Sequence, residues 1–375
     1  MSTNRRQFLA RSSALTGAAM AGAFGRFGIE SASAQAADYK ALVCLFQFGG
    51  ADSNNMVVPD TDYAQYGLVR TAGSQVGIPQ ANLLTFTASR QGGKSYGFHP
   101  SLQPLKDLYD QKKLAVVANA GTLIAPITMA DYKAGKNRPP NLFSHSDQQA
   151  QWQSAIVDDA PRSGWGGRMM ERLLAADTVN RGYGVLSLAG GNLWENGDRS
   201  LAAYKVSASG NFGFDFYDPT GRDPVSTAIT ESLAERREHL LEQAWNDVVG
   251  RSIENQRVLT QALESATLAT AFPDTSLGSQ LRMVARLVAA RSRLGLQRQC
   301  FFCSIGGFDL HDNLISQHPT LLGRVSDAMT AFYNATAALG VPVCKLPSTS
   351  PANAVWSFER KRAAWGEALA AQGLL

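Results

Sequence analysis

Three short stretches of the chain carry side chains that could do chemistry. Asp52, Ser53, Asn54 and Asn55 follow the glycine pair Gly49-Gly50 and offer a cluster of hard oxygen donors. Such a cluster suits a metal ion or an anion-bearing substrate. The same residues also suit an Asx-type loop that only turns the chain. Asp309 and His311 follow a second glycine pair, Gly306-Gly307. Two residues apart on an extended segment they share a face, so a carboxylate and an imidazole can reach one cation such as Zn or Mn. The competing reading is a polar turn before a helix capped by Asp312. The third stretch is Ser144-His145-Ser146, ahead of Asp147-Gln148-Gln149. Ser146 and Gln149 have capping-box spacing, which predicts a helix from Asp147. The free N–H groups there attract anions, and an activated hydroxyl of Ser146 or Ser144 would serve as a nucleophile beside His145. Equally, Ser146 only caps and His145 only packs.

The elements that must position these residues read as alternating strands and helices. Leu42–Phe48 is an apolar, β-branched and aromatic run that predicts a strand buried on both faces, central in a parallel sheet. Its carboxyl end delivers Asp52 to the edge where α/β folds hold ligands. Tyr63–Arg70 predicts a short helix or turn, and 73–93 a polar connection with little pattern. His99-Pro100 leads to Ser101 as an N-cap, with a helix carrying Leu102, Leu105, Leu108 and Tyr109 on one face. His99 reads as a structural loop residue. Leu114–Gly121 predicts a second buried strand, which completes a βαβ unit and makes the chain α/β. A helix follows Gly164-Trp165-Gly166-Gly167, and Val185–Leu188 predicts a third strand ending at Gly190-Gly191. Phe212–Pro219 reads as a turn. Residues 227–271 look helical, with Leu233, Leu240, Leu241, Trp245 and Val249 as the apolar positions and His239 on a solvated face. Ser276–Gln297 is a second helical stretch. Gln299–Ile305 predicts a fourth buried strand, and Asn313–Leu339 a helix with His318 near its start and a stripe through Leu321, Leu322, Val325, Met329, Phe332 and Tyr333.

The N-terminus reads as a targeting segment. Arg5-Arg6-Gln7-Phe8-Leu9, a small-residue apolar region over 14–24 and Ala32-Ser33-Ala34 form a twin-arginine export signal with a cleavage site. The mature chain is expected to begin near Gln35, in the periplasm or secreted, with no transmembrane anchor after cleavage. That route moves folded proteins, including those that first acquire a metal or a partner. The expected partners are the export machinery itself and a second exported protein. The 375 residues carry 35 basic and 31 acidic side chains. Loss of Arg5, Arg6, Arg11, Arg26 and Glu30 with residues 1–34 leaves 31 against 30, a net charge of +1. No clustered basic face marks a nucleic-acid partner. Four cysteines are too few for a disulfide scaffold. Cys300 and Cys303, three apart on a strand, point to opposite faces and read as core rather than as a redox or zinc pair.

Taken in order, the arginine-pair signal, two Gly-Gly-x-Asp strand ends and Phe143-Ser144-His145 before Gln148-Gln149 resemble domain-of-unknown-function family 1501. The resemblance spans roughly residues 40–340 and places that family with the alkaline-phosphatase and sulfatase superfamily. It implies a three-layer α/β/α sandwich with a mainly parallel sheet, an alkaline-phosphatase-like domain over 35–340, in which the helical pattern at about 225–297 reads as an insertion. It also implies a divalent metal, Zn or Mn, at the carboxyl edge of the sheet. By that resemblance Asp52 is the first metal aspartate, Asp309 and His311 are a later ligand pair, and His145 is a characteristic position. The implied activity is metal-dependent hydrolysis of phosphate or sulfate esters; the alternative is a non-catalytic periplasmic binding or assembly protein. Ser53 and Asn54 stand where the family has Gly and Leu, and Phe308 and Leu310 where it has Trp and Thr. The family pattern continues with a second Asp-His pair, whereas 341–375 contains neither aspartate nor histidine. That tail reads either as a frameshifted or shortened frame, which leaves the site incomplete, or as a divergent tail with a helix over 359–372.

Overall fold

The computed structural model describes residues 39–341, except 73–74, 89–91, 119, 176–181, 200, 202, 211–216 and 219–221, together with residue 363. The expected export signal, Cys344, most of the turn at 212–219 and the tail lie outside the described residues. The strands are β1 (Lys40–Gln47), β2 (Val57–Pro59), β3 (Leu84–Thr87), β4 (Ser95–Phe98), β5 (Val185–Ser187), β6 (Tyr204–Lys205) and β7 (Arg298–Ile305). The helices are α1 (Ser53–Met56), α2 (Tyr63–Arg70), α3 (Gln103–Asp110), α4 (Met129–Lys133) and α5 (His145–Ser154). They continue with α6 (Trp165–Ala175), α7 (Pro224–Ala234), α8 (Leu240–Glu264), α9 (Ser276–Ala289) and α10 (Leu314–Ala338). No helix among the described residues is long and apolar enough to cross a membrane.

The principal sheet runs β1-β7-β5-β6 and every pairing in it is parallel. β7 carries it. Phe301 and Cys303 face one apolar cluster, while Cys300 and Phe302 face another on the opposite side. The first face is covered by α9, α10 and α3, through residues such as Leu281, Val284, Leu322, Val325 and Leu105. The second is covered by α6 and the loop after β5, through Met170 and Trp194. Helices on both faces of a parallel sheet make the chain α/β, as expected, and the two cysteines sit in separate cores. A small antiparallel sheet, β2-β4-β3, flanks the N-terminal part.

Several local expectations are corrected. Residues 114–118 form no strand among the described residues. Leu114 and Val116 lean on the core while Ala115 and Val117 face solvent, so the run lies against the protein without a ladder partner. β1 therefore has β7 as its parallel neighbour, with Lys40 opposite Arg298, rather than a strand one helix later. β1 ends the sheet order instead of standing at its centre, which leaves its residues half-buried rather than fully buried. The polar connection contains a 3₁₀ turn at Gln80–Asn82 and strand β3. His99 rather than Ser101 caps the turn before α3, its Nδ1 accepting from the Ser101 N–H at 3.0 Å. His239 caps α8 by accepting from the Leu241 N–H. Asp312 caps nothing, because α10 starts after Asn313. His318 lies near the start of α10, as expected, but it is buried, and neither ring nitrogen has a hydrogen-bond partner among the described residues. The apolar positions at the start of α8 do not pack: Leu240 and Trp245 are 81% and 69% exposed, and the helix joins the core near its end, through Val258, Leu259, Ala262 and Leu263.

Candidate metal centre

Two glycine turns leave the same edge of the sheet side by side. The pairing of β1 with β7 continues past the strands, with the Phe48 N–H donating to Ile305 O at 2.9 Å and the Phe308 N–H donating to Phe48 O at 3.4 Å. Gly49 and Gly307 both have positive φ, which a side chain would strain. A Cβ on Gly49 would also lie 2.8 Å from the Asp309 backbone nitrogen, so only glycine permits this approach. Phe308 is buried and pins the second turn to the core. Behind it, the buried amide of Gln280 on α9 accepts from the Ser304 N–H at 2.9 Å and donates to Ser304 O at 3.0 Å. The side chain thus takes the place of a neighbouring strand where β5 has ended.

The helix that brings His145 starts two residues earlier than its capping-box spacing predicts. Ser144, not Ser146, is the N-cap, and its Oγ accepts from the Asp147 N–H at 3.3 Å. His145 is then the first residue of α5 and Ser146 the second, with the two serine hydroxyls 3.1 Å apart. Asp147 sits in the first turn, and its hydrogen bonds with Ser144 and then Asn141 hold its carboxyl below the usual range. That carboxylate already occupies part of the favourable field at the helix N-terminus.

His145, Asp309 and His311 meet here. Their ligand-capable atoms all lie within 4.8 Å of one another, the one such group of three among the described residues. His311 Nε2 is 2.6 Å and His145 Nε2 3.5 Å from the same oxygen, Asp309 Oδ1. All three side chains are open to solvent. A Cβ placed on Gly50 would lie 3.0 Å from His145 Cε1, so the first glycine turn forms the wall against that ring. Two imidazole nitrogens and one carboxylate oxygen are a donor set that suits Zn or Mn and leaves coordination positions open.

The other expected residues sit apart from this group. Asp52 makes a salt bridge to Arg70 at the end of α2, a partner for which its sequence carried no motif. Asn55 turns inward: its Nδ2 donates to Val76 O at 2.8 Å and its Oδ1 accepts from Tyr66 Oη at 2.7 Å. The oxygen cluster after β1 is therefore divided, with Ser53 and Asn54 exposed and Asn55 structural.

The family described as Protein of unknown function (DUF1501) matches residues 39–341. No curated protein and no solved structure matches the chain.

Proposed function

The chain belongs to the DUF1501 family, and we propose that it is an exported, metal-dependent hydrolase of phosphate or sulfate esters, related to the alkaline-phosphatase and sulfatase superfamily. The observation that carries this reading is the convergence of His145, Asp309 and His311 at the carboxyl edge of a parallel sheet. In α/β proteins that edge is where ligands bind. His145, Asp309 and His311 would hold the cation, with Asp52 a further ligand once released from Arg70. A cation held there supplies Lewis-acid polarisation of the ester oxygen. The chain's own groups supply the rest. The exposed Ser146 hydroxyl, next in sequence to His145, is the nucleophile, and it shares a hydrogen bond with Ser144 Oγ, 3.1 Å away. The N–H groups at the start of α5 orient the anionic ester. Export by the twin-arginine route to the periplasm fits a protein that folds around a metal before it moves.

One observation favours a second reading, a non-catalytic binding or assembly protein. Asp52, expected as a metal ligand, is neutralised by Arg70.

Metal titration separates the two. The mature protein is expected to bind Zn or Mn with one site, and Asp309→Ala or His311→Ala to weaken it by at least tenfold, with loss of p-nitrophenyl phosphate or sulfate turnover in parallel. Turnover that survives both substitutions, or metal content unchanged by them, sinks the hydrolase reading. Metal binding without turnover moves the assignment to the binding protein.

A further inference from the structure

Asp52 stands where an aspartate ordinarily caps a helix, yet its side chain makes no cap bond to α1. Its carboxylate is given to the Arg70 guanidinium instead. The two side chains keep 13% and 21% exposure, for Arg70 the larger, so the pair is sheltered but still meets solvent. The backbone on both sides of it is held by other bonds. Asn55, three residues after Asp52, donates to Val76 O at 2.8 Å and accepts from Tyr66 Oη at 2.7 Å. Tyr66, one turn before Arg70, also accepts at Oη from the Ile78 N–H at 2.8 Å, and the Val76 N–H donates to Arg70 O at 2.8 Å. A salt bridge that only held this loop would duplicate those bonds. Opening it needs rotation of the Arg70 side chain alone. The pair also lies beside the metal centre. Gly50 walls the His145 ring and Gly49 packs on Asp309. Asp52 follows Gly50 by two residues, a span of at most about 7 Å along the chain.

We propose that Arg70 is a latch released by the anionic group of the substrate: a phosphate or sulfate monoester takes the guanidinium, and Asp52, set free, becomes the fourth ligand of the cation held by His145, Asp309 and His311. This deepens the hydrolase reading and rests on its metal centre. A guanidinium fits a phosphate or sulfate with two parallel N–H···O bonds, so the anion replaces the carboxylate without leaving the cation side unpaired. The freed carboxylate would be costly alone in a sheltered place, and the metal ion supplies its counter-charge. Without the anion, Asp52 stays on Arg70 and the centre has three ligands. Anion and metal therefore bind cooperatively, each tightening the other by the same factor.

Calorimetric titration of the mature protein with Mn and with phenylphosphonate, an analogue that cannot be hydrolysed, tests this. In the absence of metal, Asp52 competes with the anion for Arg70. Asp52→Asn is therefore expected to bind phenylphosphonate at least fivefold tighter than the parent, and Arg70→Met at least fivefold more weakly. In the absence of the anion, Arg70→Met is expected to bind Mn at least tenfold tighter than the parent, because Asp52 is then free to ligate. The double variant Asp52→Asn/Arg70→Met loses that gain. Circular dichroism identifies the folded variants, and the two single variants give independent readings. Phenylphosphonate binding no tighter in folded Asp52→Asn overturns the latch, as does Mn binding no tighter in folded Arg70→Met. If neither the parent nor Arg70→Met takes up Mn, the metal centre itself fails and the latch with it.

Discussion

Glu195 shows what a single buried residue does to the pH dependence of the whole protein. Its carboxyl is held at about 7 in the fold against an ordinary 4.5, because burial disfavours the charged form. Between those values the folded state keeps a proton that the unfolded chain has released. Stability from this group is therefore complete below about 4.5 and is lost as the pH rises through 7. Glu195→Gln, which stays neutral throughout, is expected to melt several degrees above the parent at pH 8. The gap, on the order of 3 kcal/mol from the size of the shift, closes near pH 4.5. A gap that is constant with pH would mean the carboxylate is solvated in the fold. Nothing about Glu195 stood out in the sequence beyond its position five residues after a third strand-end glycine, Gly190. Asp309, His311 and His145 did stand out, because ligand-type side chains beside glycine turns and helix starts are visible as residue types. Arg70 did not, since one arginine at a helix end is ordinary.

At the scale of an element, the start of α5 distinguishes packing from chemistry. Ser144 satisfies an otherwise unpaired N–H of the first turn, whereas Ser146 lies within the helix and is exposed. Ser144→Ala is expected to cost about 1 kcal/mol of stability, the usual worth of a lost N-cap, as measured by urea unfolding. Ser146→Ala is expected to leave the unfolding midpoint unchanged and, if this hydroxyl is the nucleophile, to remove ester hydrolysis. A stable Ser146→Ala variant with parent-like turnover would pass that role elsewhere. The two-residue error in the expected helix start has a plain cause. Ser144 and Ser146 are both good caps, and sequence spacing alone chose the one with Gln149 three residues on. The backbone at Ser144 is extended while His145 is already helical, and that conformation decides the cap. The same ambiguity placed a strand at 114–121: an apolar run reports burial, but a strand also needs a neighbour to bond.

Across the whole molecule, β7 is the organising element. It lies between β1 and β5 and separates two cores, with Cys303 in one and Cys300 and Cys44 in the other. Three residues apart on one strand, Cys300 and Cys303 cannot meet in a disulfide, whose α-carbons must lie within about 7 Å. All three thiols are free and held neutral by burial. A maleimide reagent is therefore expected to leave Cys44, Cys300 and Cys303 unlabelled in the native protein and to label all three in denaturant, as read by peptide mass mapping. Native labelling of Cys300 at the rate seen in denaturant would contradict the two-core arrangement.

The sequence by itself determined the α/β class, the strands expected at 42–48, from 185 and at 299–305, the long helix before 339 and the opposite-facing cysteines. These follow from local periodicity and from the glycine pairs that end strands, both of which act between near neighbours. The tertiary structure alone decided that β1 ends the sheet order against β7, that Arg70 holds Asp52, and that His145 joins Asp309 and His311. It also decided that the Glu195 carboxyl is buried. Each of these depends on contacts between segments far apart in the chain, where spacing carries no information and the packing of two faces on one sheet selects the neighbours.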